Sequence, residues 1–397
     1  MIVNERITSE RRKIQQTLDM RNHIQSERVQ EKQPKTRENR EDNLRIYHQN
    51  INGINSEGNE GVEEITAHHQ QLKVSVHSLV ETNVKWTLQE SKRFVDTAER
   101  KLRTLNGRNT QYTMQAASCR EWNGQRYQPG GTSVGALDKW ASRVIEKGQD
   151  PSGMGRWTHI TIALKGVKIT FVSAYRVCKQ TTDLDKNTAY MQQWRVLAEN
   201  QTRPDPRKQT LLDLKKFLQE ETRKGRELVI GIDANEGIEN RTDEMLEMIN
   251  ANKLIDLHAR EDPMSEIETY IRGRQRIDYT FATERVAECV TYTNIAPYNE
   301  GIVSDHRAIV VDIDIRRIQQ GDLLRWEKIE RILRPGIKKQ RQQMVTRMYE
   351  VSKERRWEER ISEIKRREAK KSEEDKLDNL DKEITGVMLK QEKEVAK

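Results

Sequence analysis

The feature that most constrains the fold is a unit that recurs between residues 44 and 315: a short apolar run, a polar tip, then an amphipathic stretch. Apolar runs bounded by turn residues read as strands, and apolar positions three and four apart read as helices. Strands are expected at Leu44 to Gln49, Val74 to Val80, Thr158 to Leu164, Val167 to Ala174, Glu227 to Ile232 and Ala308 to Ile315. The third and fourth form a hairpin about Lys165-Gly166. Helices are expected through Val62, Ile65, His69 and Leu72, and over Thr87 to Leu105, Lys186 to Asn200, Pro206 to Lys224 and Asp243 to Lys253. Pro204-Asp205-Pro206 separates two of these, because proline cannot continue a helix. His69 is expected at the edge of a core rather than as a ligand. Asn106 to Gly155 is polar and Gly-rich, and its strands are placed only loosely. The pattern defines an α/β chain with polar groups gathered at strand ends.

Composition separates the flanks from this middle. Charged and hydrophobic residues each make up 34% of the chain and aromatics 5%, whereas a globular chain is about 25% charged and about 45–50% apolar. Residues 1–43 are expected to be a charged helical or disordered extension, 44–316 the folded domain, and 317–397 a charged helical, coiled-coil-like tail. In the tail, Trp326, Ile329 and Leu333 are followed by Met344, Met348 and Val351, then Trp357, Ile361 and Ile364, then Leu377, Leu380, Ile384 and Val387. Pairing of this stripe as a coiled coil would give self-association. The net charge of +8 suits a polyanionic partner. Cys119, Cys178 and Cys289 stand too far apart for a disulfide framework or a paired zinc site. Met1 to Lys13 lacks the apolar core of a signal peptide, and no stretch approaches membrane-spanning length. The expectation is no membrane contact and a nuclear or cytoplasmic protein; the basic clusters Lys338-Lys339-Gln340-Arg341 and Lys365 to Lys371 suit the nucleus.

Chemistry is expected at the strand tips, where catalytic side chains usually sit. In order these carry Asn50, Glu81, Tyr175, Asp233 with Asn235, Asp278, and Asp305 with His306. Glu81, Asp305 and the amide oxygen of Asn50 are hard oxygen ligands suited to Mg²⁺, or Mn²⁺ in its place. Asp233 and Asn235 lie two apart, so both can face the same way; Asp233 would take a proton from an attacking water while Asn235 orients it. Asp278 would hold His306 in one tautomer and favour its charged form. Arg272, Arg274 and Arg276 alternate, so an extended segment would either track a phosphate backbone or form a solvated edge. Arg156 is a further candidate phosphate contact. Trp122 and Tyr127 either stack on bases or pack their own loop down.

Six motifs in this order resemble those of the endonuclease/exonuclease/phosphatase superfamily: Asn50-Ile51-Asn52-Gly53, Glu81-Thr82, Tyr175, Gly231-Ile232-Asp233-Ala234-Asn235, Arg276-Ile277-Asp278-Tyr279 and Ser304-Asp305-His306. Tyr175 resembles the apurinic-endonuclease branch, and Gln49 to Ser56 is similar to the endonuclease domain of LINE-type (non-LTR) retrotransposons. The resemblance implies a four-layer α/β sandwich, two mixed β-sheets flanked by helices. It implies metal binding by Glu81 with Asn50, water activation by Asp233, phosphate contacts from Tyr175, Asn235 and His306, and Asp278 supporting His306. Asp305 would lie near the metal, and Thr269 would approach substrate from a hairpin. Two departures stand out. Arg176-Val177-Cys178 replaces the branch's Pro and Asn, so one phosphate contact is missing or supplied by Arg176. Asn52 stands where repair enzymes place an Asp.

The expected function is a Mg²⁺-dependent phosphodiesterase acting on DNA, a retroelement-type endonuclease that nicks one strand to leave a 3′-hydroxyl. A reverse transcriptase domain encoded downstream would be its partner. The alternatives are a phosphatase or lipid phosphodiesterase on the same fold, and a catalytically degenerate nucleic-acid-binding or coiled-coil scaffold.

Overall fold

The computed structural model describes residues 35–39, 43–54, 59–106, 110–122, 124, 127–179, 187–237, 241–262, 267–319, 338–366 and 371–395. Most of the charged extension expected over residues 1–43, and the repeat Trp326, Ile329, Leu333, lie outside these residues. The chain divides into two compact units, Met1–Leu324 and Arg325–Lys397.

The first unit is built on two mixed six-stranded sheets. In chain order the strands are β1 (Asn43–Asn50), β2 (Val76–Val80), β3 (Tyr112–Ala117), β4 (Thr132–Leu137), β5 (Val144–Gln149) and β6 (Trp157–Leu164). They continue as β7 (Val167–Tyr175), β8 (Glu227–Asp233), β9 (Leu254–Asp256), β10 (Asp278–Thr283), β11 (Val290–Ile295) and β12 (Ile309–Asp314). One sheet has the order β11-β12-β1-β2-β4-β3 and the other β5-β6-β7-β8-β10-β9. Each has a single parallel pair, β1 with β2 and β7 with β8.

Helices cover both outer faces: α1 (Glu60–Gln71) and α2 (Leu88–Asn106) on the first sheet, α3 (Ala189–Ala198), α4 (Pro206–Arg223) and α5 (Asp243–Ala251) beside the second. Asp205 caps α4 by accepting from Lys208 N at 3.0 Å, and Pro206 supplies the fixed φ of a first turn. Leu211, Leu214 and Leu218 then face Val172, Ile230 and Ile232 of the second sheet. The loosely placed stretch before Gly155 forms β3 to β5 and a short 3₁₀ turn at Asp138–Arg143.

Side chains alternate across each strand, and that parity positions the site. On β1, Leu44 and Ile46 point between the sheets, as do Ile169 and Phe171 of β7, Val229 of β8 and Ala282 of β10. Carried along each strand by steps of two, the same face presents Asn50, Tyr175, Asp233 and Asp278. The layer between the sheets is therefore apolar at one end and polar at the other. In its middle the sheets approach closely. Ser173 Oγ of β7 donates to Leu79 O of β2 at 3.2 Å, and a Cβ added to Gly231 would lie 2.5 Å from His48 Nδ1.

The second unit contains α9 (Lys338–Glu354), α10 (Trp357–Arg366) and α11 (Lys371–Val395), numbered after the short helices α6 (Leu257–Glu261), α7 (Glu284–Ala287) and α8 (Ile315–Gln319). The helical run is interrupted at Arg355–Arg356, where Arg356 takes a φ of 52°. Trp357 and Leu380 of the stripe are buried within the unit, and Glu383 accepts from Arg355, Arg360 and the Trp357 indole. Among the described residues no helix is long and apolar enough to cross a membrane.

Candidate active site

The C-terminal tips of β1, β2, β7 and β8 and the segments entering β10 and β12 meet at one end of the sandwich, because the β1–β12 and β8–β10 pairs are antiparallel. Asn50 stands at the centre. Its Nδ2 donates to Glu81 Oε2 at 2.9 Å and to Asp233 Oδ2 at 2.8 Å, while its Oδ1 accepts from Asn52 N at 3.0 Å. Tyr175 donates its hydroxyl to Glu81 Oε1. Burial, and then the charge of Glu81, hold that phenol well above its ordinary pKa, so it stays a donor.

Asp233 Oδ1 accepts from Asn235 N at 2.9 Å, which fixes the turn after β8. The Asn235 amide donates to Arg176 O at 2.8 Å, and its Oδ1 accepts from the Cys178 thiol at 3.0 Å. Asp278 pairs with Asp233 in the β8–β10 register, and its Oδ2 lies 2.9 Å from His306 Nδ1. One ligand atom each from Asp233, Asp278 and His306 can be chosen so that all lie within 4.8 Å of one another.

The electrostatics follow from this crowding. Burial, Asp278 and Glu81 together push Asp233 up to about 8, against the opposing effects of His306 and the Asn50 hydrogen bond. Burial by itself would lower His306, but Asp278, Asp233 and Asp305 outweigh it and push the imidazole up to about 10.

The backbone at the rim is strained. Asn52, Glu81, Asn83 and Asn235 all have φ between 45° and 54°, a left-handed conformation that costs non-glycine residues roughly 1–2 kcal/mol each. Such strain persists where surrounding contacts over-determine it, and here those contacts fix Glu81 and Asn235 at the strand tips.

Glu81, Asn50, Tyr175, Asp233, Asn235, Asp278 and His306 are thus brought together. Asp305 is half-buried one residue from the imidazole, and its carboxylate is met by Ser304 Oγ at 3.5 Å. Thr269 is fully buried, its hydroxyl accepting from Ile277 N and Asp278 N at 3.0 and 3.1 Å. It braces the entry to β10 instead of reaching outward. Arg156 is buried against Asp150 and Asp213, and Arg176 against Glu236, so neither guanidinium faces the cluster's solvent side. Arg272 and Arg274 are exposed. Their segment is a turn and bend, not the extended run the alternation suggested, and Arg276 turns inward to pair with both oxygens of Asp256.

Three supporting residues lacked a recognised signal in the sequence. Gln49 Nε2 donates to His306 O at 2.8 Å, Ser304 Oγ donates to Asn50 O at 2.6 Å, and the Tyr270 ring lies 5.0 Å from that of His306. Gln49 and Ser304 stand inside quoted motifs, but the motifs give neither of them a role, and no motif includes Tyr270.

The donor set fits a hard divalent cation. Carboxylate oxygens of Glu81 and Asp233 converge on one amide group, and Asp278 Oδ1 is buried with no hydrogen bond. Buried carboxylates in such excess need a counter-charge.

The fold and site together define a two-sheet α/β sandwich with a carboxylate, amide and imidazole cluster at one end. No family model matches the sequence, and no curated protein matches it. Among solved structures the chain is similar to the AP endonuclease LMAP from Leishmania major, at 14% identity and TM-score 0.48, covering 71% of this chain and 93% of that one. It is also similar to an AP endonuclease from Archaeoglobus fulgidus, at 15% identity and TM-score 0.46, covering 68% and 100%. A third is the endonuclease domain of TRAS1, a telomere-specific non-LTR retrotransposon, at 16% identity and TM-score 0.40, covering 69% and 99%.

Proposed function

We propose that this protein is a Mg²⁺-dependent DNA endonuclease of the endonuclease/exonuclease/phosphatase type, of retroelement kind, which nicks one strand and leaves a 3′-hydroxyl. The observation that carries the reading is the convergence of Glu81, Asn50, Asp233, Asn235 and the Asp278–His306 pair at one end of the sandwich. Glu81 and Asn50 would hold the cation, with Asp305 in support. When bound, Mg²⁺ or Mn²⁺ neutralises charge on the phosphate and leaving oxygen.

The chain's own groups do the rest. Asp233, poised near neutrality, takes the proton from the attacking water, and Asn235 orients that water or the phosphate. His306 stays charged and donates to a non-bridging oxygen while Asp278 holds its other nitrogen. Tyr175 adds a neutral donor on the Glu81 side.

The test is nicking of supercoiled plasmid by the full chain with Mg²⁺ or chelator, beside Asp233→Ala. Metal-dependent conversion to open circle that the variant lacks supports the assignment. Wild-type activity retained in both Asp233→Ala and His306→Ala would sink it.

A further inference from the structure

Of the first unit's described residues, the large aromatic side chains that stand exposed are Trp122, at 50%, and Tyr127, at 43%. Both belong to the connection between β3 and β4. The loop is fastened directly to the catalytic end. Tyr127 forms an isolated antiparallel bridge with Val84, three residues after Glu81. Asn83 and Gly130 exchange two hydrogen bonds of 2.8 Å, and a Cβ on Gly130 would lie 3.6 Å from the Tyr175 ring.

Described residues of the connection are also tied to their surroundings. Buried Gln128 donates to Cys119 O, Glu121 O and Gln192 Oε1 at 3.3, 2.9 and 2.6 Å. Lys85 Nζ donates to Cys119 O at 3.0 Å and lies 5.7 Å from the centre of the Trp122 ring. The two partly exposed rings, one of them with the Lys85 ammonium over it, thus stand on a connection fastened to the Glu81 tip, next to the proposed phosphodiester site. Nucleobases have the matching chemistry: a flat π-face on an anionic backbone.

We propose that Trp122 and Tyr127 form a base-stacking platform that engages an unstacked nucleobase next to the scissile phosphate, and so select where the strand is nicked. The inference rests on the endonuclease reading and adds its specificity element. The enzyme then prefers sites where a base leaves the helix cheaply, such as mismatches, bubbles and flexible pyrimidine–purine steps.

The test uses the full chain, a matched duplex and the same duplex with a short bubble. In chelator, where nothing is cut, a single-stranded oligonucleotide quenches tryptophan fluorescence; Trp122→Ala removes most of that quenching, and an abasic sugar-phosphate oligomer of equal length causes little. With Mg²⁺, Trp122→Ala and Tyr127→Ala each raise KM for the bubble duplex roughly tenfold, leave kcat within about twofold, and erase the preference for the bubble. Trp122→Phe keeps it. Unchanged KM and preference in both alanine variants, or equal quenching by the abasic oligomer, overturns the platform while wild-type nicking upholds the nuclease. Quenching that depends on Trp122 without nicking by the wild type overturns the nuclease and retains the platform.

Discussion

Asp278 Oδ2 lies 2.9 Å from His306 Nδ1, with Asp278 fully buried and His306 only 6% exposed. In so dry a setting an imidazole alone would lose its proton, and the neighbouring carboxylate reverses that preference. The folded-state pKa of about 10 stands above the ordinary 6.5. The pair therefore stabilises the fold fully below pH 6.5, and that stabilisation is lost as the pH rises through about 10.

Replacing Asp278 with Asn keeps the shape and removes the charge. The His306 pKa should fall several units, toward its ordinary 6.5, and nicking at pH 8 should drop roughly a hundredfold. Measured relative to wild type, which itself slows as Asp233 takes up its proton, part of the loss should return at pH 6, where the imidazole is protonated again. NMR titration of the histidines checks the first point and a pH–rate profile the second; an unmoved His306 resonance would refute the pairing.

Asp233 makes the opposite contribution. Its folded pKa of about 8 exceeds the ordinary 3.8, so holding it ionised opposes folding progressively between those values. Asp233→Asn should melt higher than wild type at pH 8 in chelator, yet lose nicking by about 10²–10⁴-fold. Mg²⁺ should raise the melting temperature of the wild type more than that of the variant. Equal shifts would place Asp233 outside the cation-responsive cluster.

Much of this site was legible because strand parity is legible. Counting in twos from Ile46, Phe171 and Val229 carries Asn50, Tyr175 and Asp233 to one layer between the sheets, and the motifs then name the chemistry. What could not be read was the direction of long cationic side chains. Arg156 and Arg176 look like phosphate contacts in sequence, but their partners Asp150, Asp213 and Glu236 are fixed only by tertiary packing. Thr269, expected to approach substrate from a hairpin, stands at a bend, and its hydroxyl is used by backbone N–H groups. The tail's stripe was visible, whereas its closure within the chain's own helices depends on the break at Arg356, a non-glycine residue with positive φ. Local propensity gives no warning of such a break.

A buried histidine cluster away from the site sets the acid limit of the fold. The His69 and His77 rings stack at 5.1 Å, and Tyr112 lies 2.6 Å from His77 Nε2 through its hydroxyl. Burial lowers His77 to about 3 and His68 to about 4, and holds His69 well below 6.5. The unfolded chain then binds protons that the folded one refuses, so stability should fall as the pH drops from about 6.5 to about 4. Urea midpoints across that range test it. His69→Leu should make the decline shallower by about one proton, and an unchanged slope would exclude His69 as a contributor.

Arg272 and Arg274 are exposed beside Tyr270, whose ring packs on His306. If they track a phosphate backbone, Arg272→Ala and Arg274→Ala should each weaken binding of any DNA sequence alike. Each should also reduce the salt dependence of affinity by about one counterion. Filter binding over a salt series measures both. A variant that changes sequence preference while keeping the salt slope would assign that arginine to base contact instead.

Gly231 marks a point of close approach between the sheets. A Cβ there would lie 2.5 Å from His48 Nδ1 and 2.7 Å from Ser78 Oγ, two atoms that are themselves 2.9 Å apart. Neither can retreat, since both side chains are buried and His48 lies on the strand that ends in Asn50. Gly231→Ala must therefore push β8 away from β1, costing about 1–3 kcal/mol. The same displacement stretches the 2.8 Å bond between Asn50 Nδ2 and Asp233 Oδ2, so activity should fall further than the loss of folded protein explains. Adding His48→Ala opens the space and should recover part of both losses. If instead the two substitutions simply add, the sheets are not in contact at this point, and the alignment of Asn50 with Asp233 must be maintained by the hydrogen bonds of the tips alone.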